Sequence, residues 1–298
     1  MSQLPPPPPP KSVPTPEELE AMMILPVWLV DFTVLFLQIL IYGVPCMLCL
    51  LPFLLVQQTW TVLLMAIAIP FVYALSFVMV AGLLNLPFQK AIVKGVFPRD
   101  SRFPLYAMRR CYGICWTSVY YFKPLYNFIL SFPFYKWICL RLFGYKGSIN
   151  INLYPDSWIR DLPLLRIENG VYISNRCMLG TNVSLIQSAT MVGNVTIKKG
   201  ALIGADAKVG LGSTVGENTE FSIEVITGLH VKIGSNNFIG AKTEISHYVK
   251  IGSSNKIGIC CFIGTGAVIE DNLTLPSNTH IPDGANIQTM EDLNPFLQ

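Results

Sequence analysis

Residues 228–264 read GLHVKIGSNNFIGAKTEISHYVKIGSSNKIGICCFIG. Ile233, Ile239, Ile245, Ile251, Ile257 and Ile263 recur at every sixth position, and glycine follows five of the six. Stepping outward by six reaches back to Ile167 and forward to Ile287. Apolar residues fill 20 of these 21 positions, with Thr227 the exception, and ten of them are followed by glycine. No break in phase is visible. A strict period of six is the mark of a parallel β-helix, in which each hexad makes one short strand and one turn. Three hexads close a triangular coil of about 18 residues, with the periodic apolar side chain inside. The pattern predicts roughly six to seven coils. It also predicts tight turns at the glycines, where a positive φ costs that residue little.

The rest of the chain has a different composition. From Phe32 to Gln89 there are 58 residues without Asp, Glu, Lys, Arg or His. About 20 apolar residues cross a bilayer as a helix, so this run holds two spans, near 30–54 and 60–84. No basic segment precedes it, which argues against a cleaved signal peptide. Lys90, Lys94, Arg99, Arg102, Arg109 and Arg110 follow the second span. By the positive-inside rule that side is cytosolic. Two spans return the chain to its starting side, so a multi-pass membrane protein with its N-terminus and β-helix in the cytosol is expected.

Between these parts, residues 88–147 carry ten Lys/Arg against one acid, Asp100, and 17 of the chain's 34 aromatics. Amphipathic aromatics favour headgroup depth and basic side chains snorkel toward phosphates. Interfacial helices interrupted at Pro104, Pro124 and Pro133 are expected, with membrane lipids rather than nucleic acid as the partner. The organisation is then a proline-rich tail with a short helix (1–26, with Thr15 and Glu18 as a capping pair) and a transmembrane hairpin (27–87). Basic, aromatic interfacial helices (88–150), the β-helix (151–290) and a tail (291–298) follow. The eight cysteines form no disulfide framework.

The hexapeptide pattern resembles the left-handed β-helix of hexapeptide-repeat acyltransferases, and the left hand is an implication of that resemblance. The apolar spans, VKGVFPRDSRFPLYAMRRCYGICW (93–116), PLYNFILSFPFYKWICLRLFGYKG (124–147) and the repeats together resemble a narrower group. These are the membrane-bound hexapeptide regions at the C-terminus of bacterial nonribosomal-peptide and poly-lysine synthetase-like enzymes. The stretch EISHYVKIG (244–252) resembles the I-x-H-x-x-x-(I/V)-G segment of acyltransferases acting on sugar hydroxyls and amino sugars. The resemblance implies that His247 is a general base, with an acid beside it. Here the neighbour is Tyr248, and the nearest acid is Glu244.

A histidine titrates near neutral pH, and backbone N–H groups suit a developing oxyanion. Gly264, Thr265 and Gly266, one coil beyond His247, are therefore candidate donors at an acyl-donor site. His230, 17 residues before His247, is a candidate assistant or substrate contact. His280 precedes a core isoleucine and reads as structural.

The resemblance implies acyl-CoA or an acyl-carrier protein as co-substrate, no tightly bound cofactor or metal, and a homotrimer. The competing reading is a non-catalytic trimeric membrane scaffold. It draws on the absence of any visible insertion between 167 and 287, where an extruded loop covering an acceptor pocket is expected in an enzyme. Residues 156–166 (DSWIRDLPLLR) are the one stretch left to serve as such a flap.

Overall fold

The computed structural model describes residues 24–55, 59–185 and 188–296. The expected capping pair at Thr15 and Glu18 lies outside them. The chain forms two compact units: a helical one that includes residues 24–92 and 98–145, and one made of 93–97 with residues from 146 onward.

In the helical unit, α1 (Val27–Leu55) and α2 (Thr59–Asn85) cover the two expected spans. Both are long and apolar enough to cross a membrane by length and composition. Their packed stripe includes Ile41, Ala74, Phe77, Val78 and Ala81, while Phe32, Leu64 and Ile67 are exposed. Outward apolar surface of this kind suits lipid. Three shorter helices follow: α3 (Pro104–Tyr121), α4 (Lys123–Ser131) and α5 (Pro133–Leu142). Each carries its proline in the first turn, where the missing N–H has no helical partner to lose. Those prolines thus start helices rather than interrupt one. Trp116, Tyr112, Tyr126 and Phe143 fill the core of this unit. Trp116 meets Tyr126 edge-on at 5.9 Å and Phe143 at 5.2 Å.

The second unit is a parallel β-solenoid. Its two- and three-residue strands stack into three sheets of seven, giving seven coils. Ile203 pairs with Ile173 and Phe221, and Ile251 with Ile233 and Ile269. Nineteen of the 21 periodic residues are buried; Leu185 and Met191 are not.

Those two exceptions expose an insertion that the phase conceals. Most coils pair residues 18 apart, as in Leu202 with Glu220, but Leu165 pairs with Val195 and Tyr172 with Leu202. The extra twelve residues leave the coil as an antiparallel hairpin, Asn182–Ser184 with Ala189–Val192. Strand Gly95–Pro98 extends it to a three-stranded sheet. Twelve is two hexads, so the register survives the excursion. The expected absence of an extruded loop is therefore corrected. Residues 156–166 are not a flap either: Trp158–Ile159 and Leu165–Ile167 are strands of the first coil.

The glycines are also placed for another reason than the one expected. Left-handed backbone falls three residues after most inward positions, at Asn218, Glu224, His230, Asn236, Lys242, Tyr248 and Cys260 among others. The repeat glycines follow the inward residue directly and are absent from that set. A Cβ on Gly240 would strike the Gly258 carbonyl and come within 2.7 Å of Ile259 N. Close approach of successive coils, and not positive φ, requires glycine there.

Candidate functional site

The site is one corner of the triangle, where the sheet containing Ile245 turns into the sheet containing Ile251. Two columns of side chains run up this edge, at two and three residues past each inward position. In the first column stand Leu211, Leu229, His247, Thr265 and Asp283; in the second, Gly212, His230, Tyr248, Gly266 and Gly284.

His247 lies in the first column, and its Nδ1 accepts the Leu229 N–H at 2.9 Å, one coil below. Other residues two past an inward position make the same contact. Ser235 Oγ accepts from Glu217 N, Ser253 Oγ from Ser235 N, and Ser277 Oγ from Ile259 N; Asp283 Oδ1 accepts from Thr265 N. His247 thus caps a backbone amide in the way serine and aspartate do in other coils. The consequence for its chemistry is direct. A backbone N–H only donates, so Nδ1 presents its lone pair and the neutral ring carries its proton on Nε2. The lone pair a general base needs is already occupied.

Glu244 is exposed on the adjacent strand and makes no hydrogen bond or ion pair with His247 among the described residues. Both line a small cleft of about 300 Å³ with Lys208, Ile226 and Met178.

Gly264, Thr265 and Gly266 do lie one coil beyond His247, joined to it by the Gly266 N–H donated to His247 O at 2.8 Å. Their other amides are also committed. Gly264 N donates to Ile281 O at 2.8 Å and Thr265 N to Asp283 Oδ1 at 2.6 Å. No amide of this stretch points at a ligand.

His230 differs on each count. Left-handed backbone (φ 57°) turns its side chain out of the corner, and Tyr248 (φ 60°) does the same one coil on. The two rings stack at 5.4 Å with planes 8° apart. Neither ring nitrogen of His230 hydrogen-bonds to the described residues. Gly212 gives the imidazole room, since a Cβ there would strike the ring. Partial burial, with the Lys232 ammonium adding to it, holds His230 below the usual imidazole value. It is therefore neutral at pH 7 and has a lone pair to offer.

His230 lines the larger cleft, of about 740 Å³, with Tyr248, Leu211, Gly212, Lys232 and Lys250 from the coils. The far wall is the extruded hairpin (Met191, Val192, with Gly193 and Asn194 after it) and the strand beside it (Gly95, Val96, with Lys94 before it). The loop and the histidine thus share one corner. Sequence reasoning gave His230 a secondary place and missed the hairpin. The signal for the first was present: His230 and Tyr248 are 18 residues apart, one coil, and so were bound to meet. His280 stacks on Phe262 at 4.8 Å on an outer face, away from both clefts.

Thr227, the polar exception inside, receives the Gly210 N–H on its Oγ1 at 3.0 Å. The corresponding amide in other coils, such as Gly240 N to Ile257 O at 2.9 Å, bonds to a carbonyl. The hydroxyl thus replaces one rung of the ladder.

No protein-family pattern matches the chain, and no curated protein matches it in sequence. Among solved structures it is similar to a variant of perosamine N-acetyltransferase from Caulobacter crescentus, determined with CoA and GDP-perosamine. That match has 16% identity, a TM-score of 0.29, and covers 47% of this chain and 54% of that one. The acetyltransferase domain of PglB from Neisseria gonorrhoeae, determined with acetyl coenzyme A, matches at 16% identity and TM-score 0.28, over 41% and 53% of the two chains. Serine acetyltransferase isoform 3 from Entamoeba histolytica matches at 15% identity and TM-score 0.20, over 70% and 62%. The chain spans about half the length of the first two structures.

Proposed function

We propose that this chain is a membrane-anchored acyltransferase with His230 as its general base, working in the cleft between the coil corner and the extruded hairpin. The observation that carries the reading is the coincidence of three things at one corner. A twelve-residue loop leaves the solenoid, it walls a cleft, and the cleft holds a histidine with neither ring nitrogen hydrogen-bonded to the described residues. A scaffold needs none of them.

In the proposed step, an acceptor hydroxyl or amine attacks the carbonyl of an acyl-CoA or acyl-carrier thioester. His230 takes the acceptor's proton as the new C–O or C–N bond forms, then returns it to the sulfur as the C–S bond breaks. The acyl group ends on the acceptor and the thiol leaves protonated. A positioned base of this kind contributes about 10²–10⁴-fold. His247 and Glu244 stand outside this step, His247 as a cap between coils.

The same proposal places α1 and α2 across a bilayer. The basic residues after α2 put the solenoid and the N-terminus on the cytosolic side, and α3–α5 lie at the lipid surface. Membrane lipids are thus one partner and nucleic acid is not. A homotrimer is proposed as well. Ile223 and Ile259, exposed by 53% and 51%, lie on another corner of the solenoid with Ala205 and Ala241 in the same column. That apolar edge supports self-association.

The scaffold reading has its own support in the committed amides of Gly264–Gly266. The two are separated by incubating the detergent-purified chain with acetyl- and longer acyl-CoAs, together with a membrane-lipid extract that supplies hydroxyl and amine acceptors, and following free CoA by mass spectrometry. CoA release by the wild type, lost in His230→Asn, is the expected result. A folded wild type that releases none from any acyl-CoA or acyl-carrier thioester would refute the enzyme reading.

A further inference from the structure

We propose that the cleft at His230 takes an acceptor bearing an anionic phosphate and anchored in the membrane: a phosphate headgroup of a lipid, not a freely soluble phosphate compound. This deepens the acyltransferase reading and rests on it for the reaction.

The first observation is charge. Lys232 and Lys250 sit on adjacent parallel strands in direct register, both side chains outward. Neighbouring strands are about 4.8 Å apart, and like charges directly opposite one another destabilise a sheet. Lys94 lines the same cleft from the hairpin side, and among the described residues no Asp or Glu lines it. None of the three lysines has an ion pair among the described residues. An anion in the cleft relieves the repulsion and gains charge-assisted hydrogen bonds from the ammonium groups.

The second observation is tethering. Lys94 stands nine residues after Asn85, the last residue of α2. Nine residues reach no further than about 32 Å even when fully extended. The strand that follows Lys94 is hydrogen-bonded to the hairpin. One wall of the cleft is thus formed by the chain that follows the second proposed span.

The third is the remaining lining. Val96, Met191, Val192, Leu211 and the Tyr248 ring are apolar. They suit the glycerol and first methylenes of a lipid better than a fully hydrated solute.

The test measures binding, independently of turnover, on the full chain in detergent. The probes for calorimetry are dihexanoylphosphatidic acid, dihexanoylglycerol, inorganic phosphate and CoA. Dihexanoylphosphatidic acid is expected to bind and dihexanoylglycerol not to. Lys232→Gln with Lys250→Gln should weaken binding at least about tenfold, as expected for loss of charge-assisted contacts. Lys256→Gln, on another face of the solenoid, should change it less than about twofold. Lys94→Gln repeats the test from the opposite wall should the double variant fold poorly.

Three results overturn the proposal: inorganic phosphate binding as tightly as the lipid, binding indifferent to all three lysines, or competitive displacement of the lipid by CoA. The last would make the cleft a donor site. A chain that binds phosphatidic acid through these lysines yet releases no CoA keeps this inference and loses the acyltransferase. One that releases CoA but ignores phosphatidic acid does the reverse.

Discussion

His247→Ser and His230→Asn should behave in opposite ways, although both histidines stand at the same corner. The serine variant keeps an acceptor at a position where Ser235, Ser253 and Ser277 already cap the amide one coil below. His247→Ala instead leaves the Leu229 N–H without its partner. A hydrogen bond of this kind is worth about 0.5–1.5 kcal/mol net. The low end applies, because the contact is exposed and water takes over part of it. For a unit of roughly 150 residues each kcal/mol moves Tm by about 2–4 °C. His247→Ala should thus lower Tm by about 1–2 °C and His247→Ser by less. Acyl transfer, followed as CoA release at saturating acyl-CoA, should fall less than about tenfold in both, outside the range of a lost general base. His230→Asn should cost about 10²–10⁴-fold with little change in Tm. The refuting result is a His247→Ser protein that melts like the wild type yet has lost 10²-fold or more of its rate, as expected of a missing base. The ring would then be acting as base after giving up its cap, and the assignment to His230 would fall.

Deleting residues 182–193 joins Thr181 to Asn194 and leaves Leu179 six positions before Ile197; the solenoid should still fold by circular dichroism while acyl transfer is lost with the acceptor wall. Because the His230 pKa is held low, transfer should be complete at pH 7 and fall as pH drops through that lowered value, below the ordinary ~6.5. A profile that falls at or above the ordinary value would exclude His230 as the base. The same depression means that the unfolded chain binds the proton more readily, so stability should decline as pH falls below about 6.5 toward the folded value. Gly240→Ala forces a methyl into the next coil's backbone and should cost at least about 1–3 kcal/mol, read as a lower denaturation midpoint.

The solenoid was legible because its core is a one-dimensional pattern: an inward side chain every six residues, with Ile239 over Phe221 and under Ile257. What escaped was whatever that pattern does not encode. The hairpin is two hexads long and carries apolar Leu185 and Met191 in phase, so a period of six runs through it undisturbed while the backbone leaves the coil. The glycines were legible in position but not in cause, since crowding by the next coil's carbonyls is set by stacking distance and not by local turn geometry. For His247 the register could be read from the sequence, but which ring nitrogen was taken could not. That depended on the Leu229 amide 18 residues away.

The two columns at the corner are why the proposed chemistry is assigned to His230. Side chains two past the inward residue face the amide one coil below, and Ser235, His247, Ser253, Asp271, Ser277 and Asp283 accept from it. Side chains three past stand on left-handed backbone that the fold imposes in most coils, whether the residue is Glu224, His230, Lys242 or Cys260. Where the backbone is left-handed, they cap no backbone amide among the described residues. His247 cannot give up its Nδ1 lone pair to a substrate without releasing the Leu229 amide one coil below. His230 holds no such rung among the described residues. The base proposed for this corner is therefore His230, the histidine the solenoid does not use.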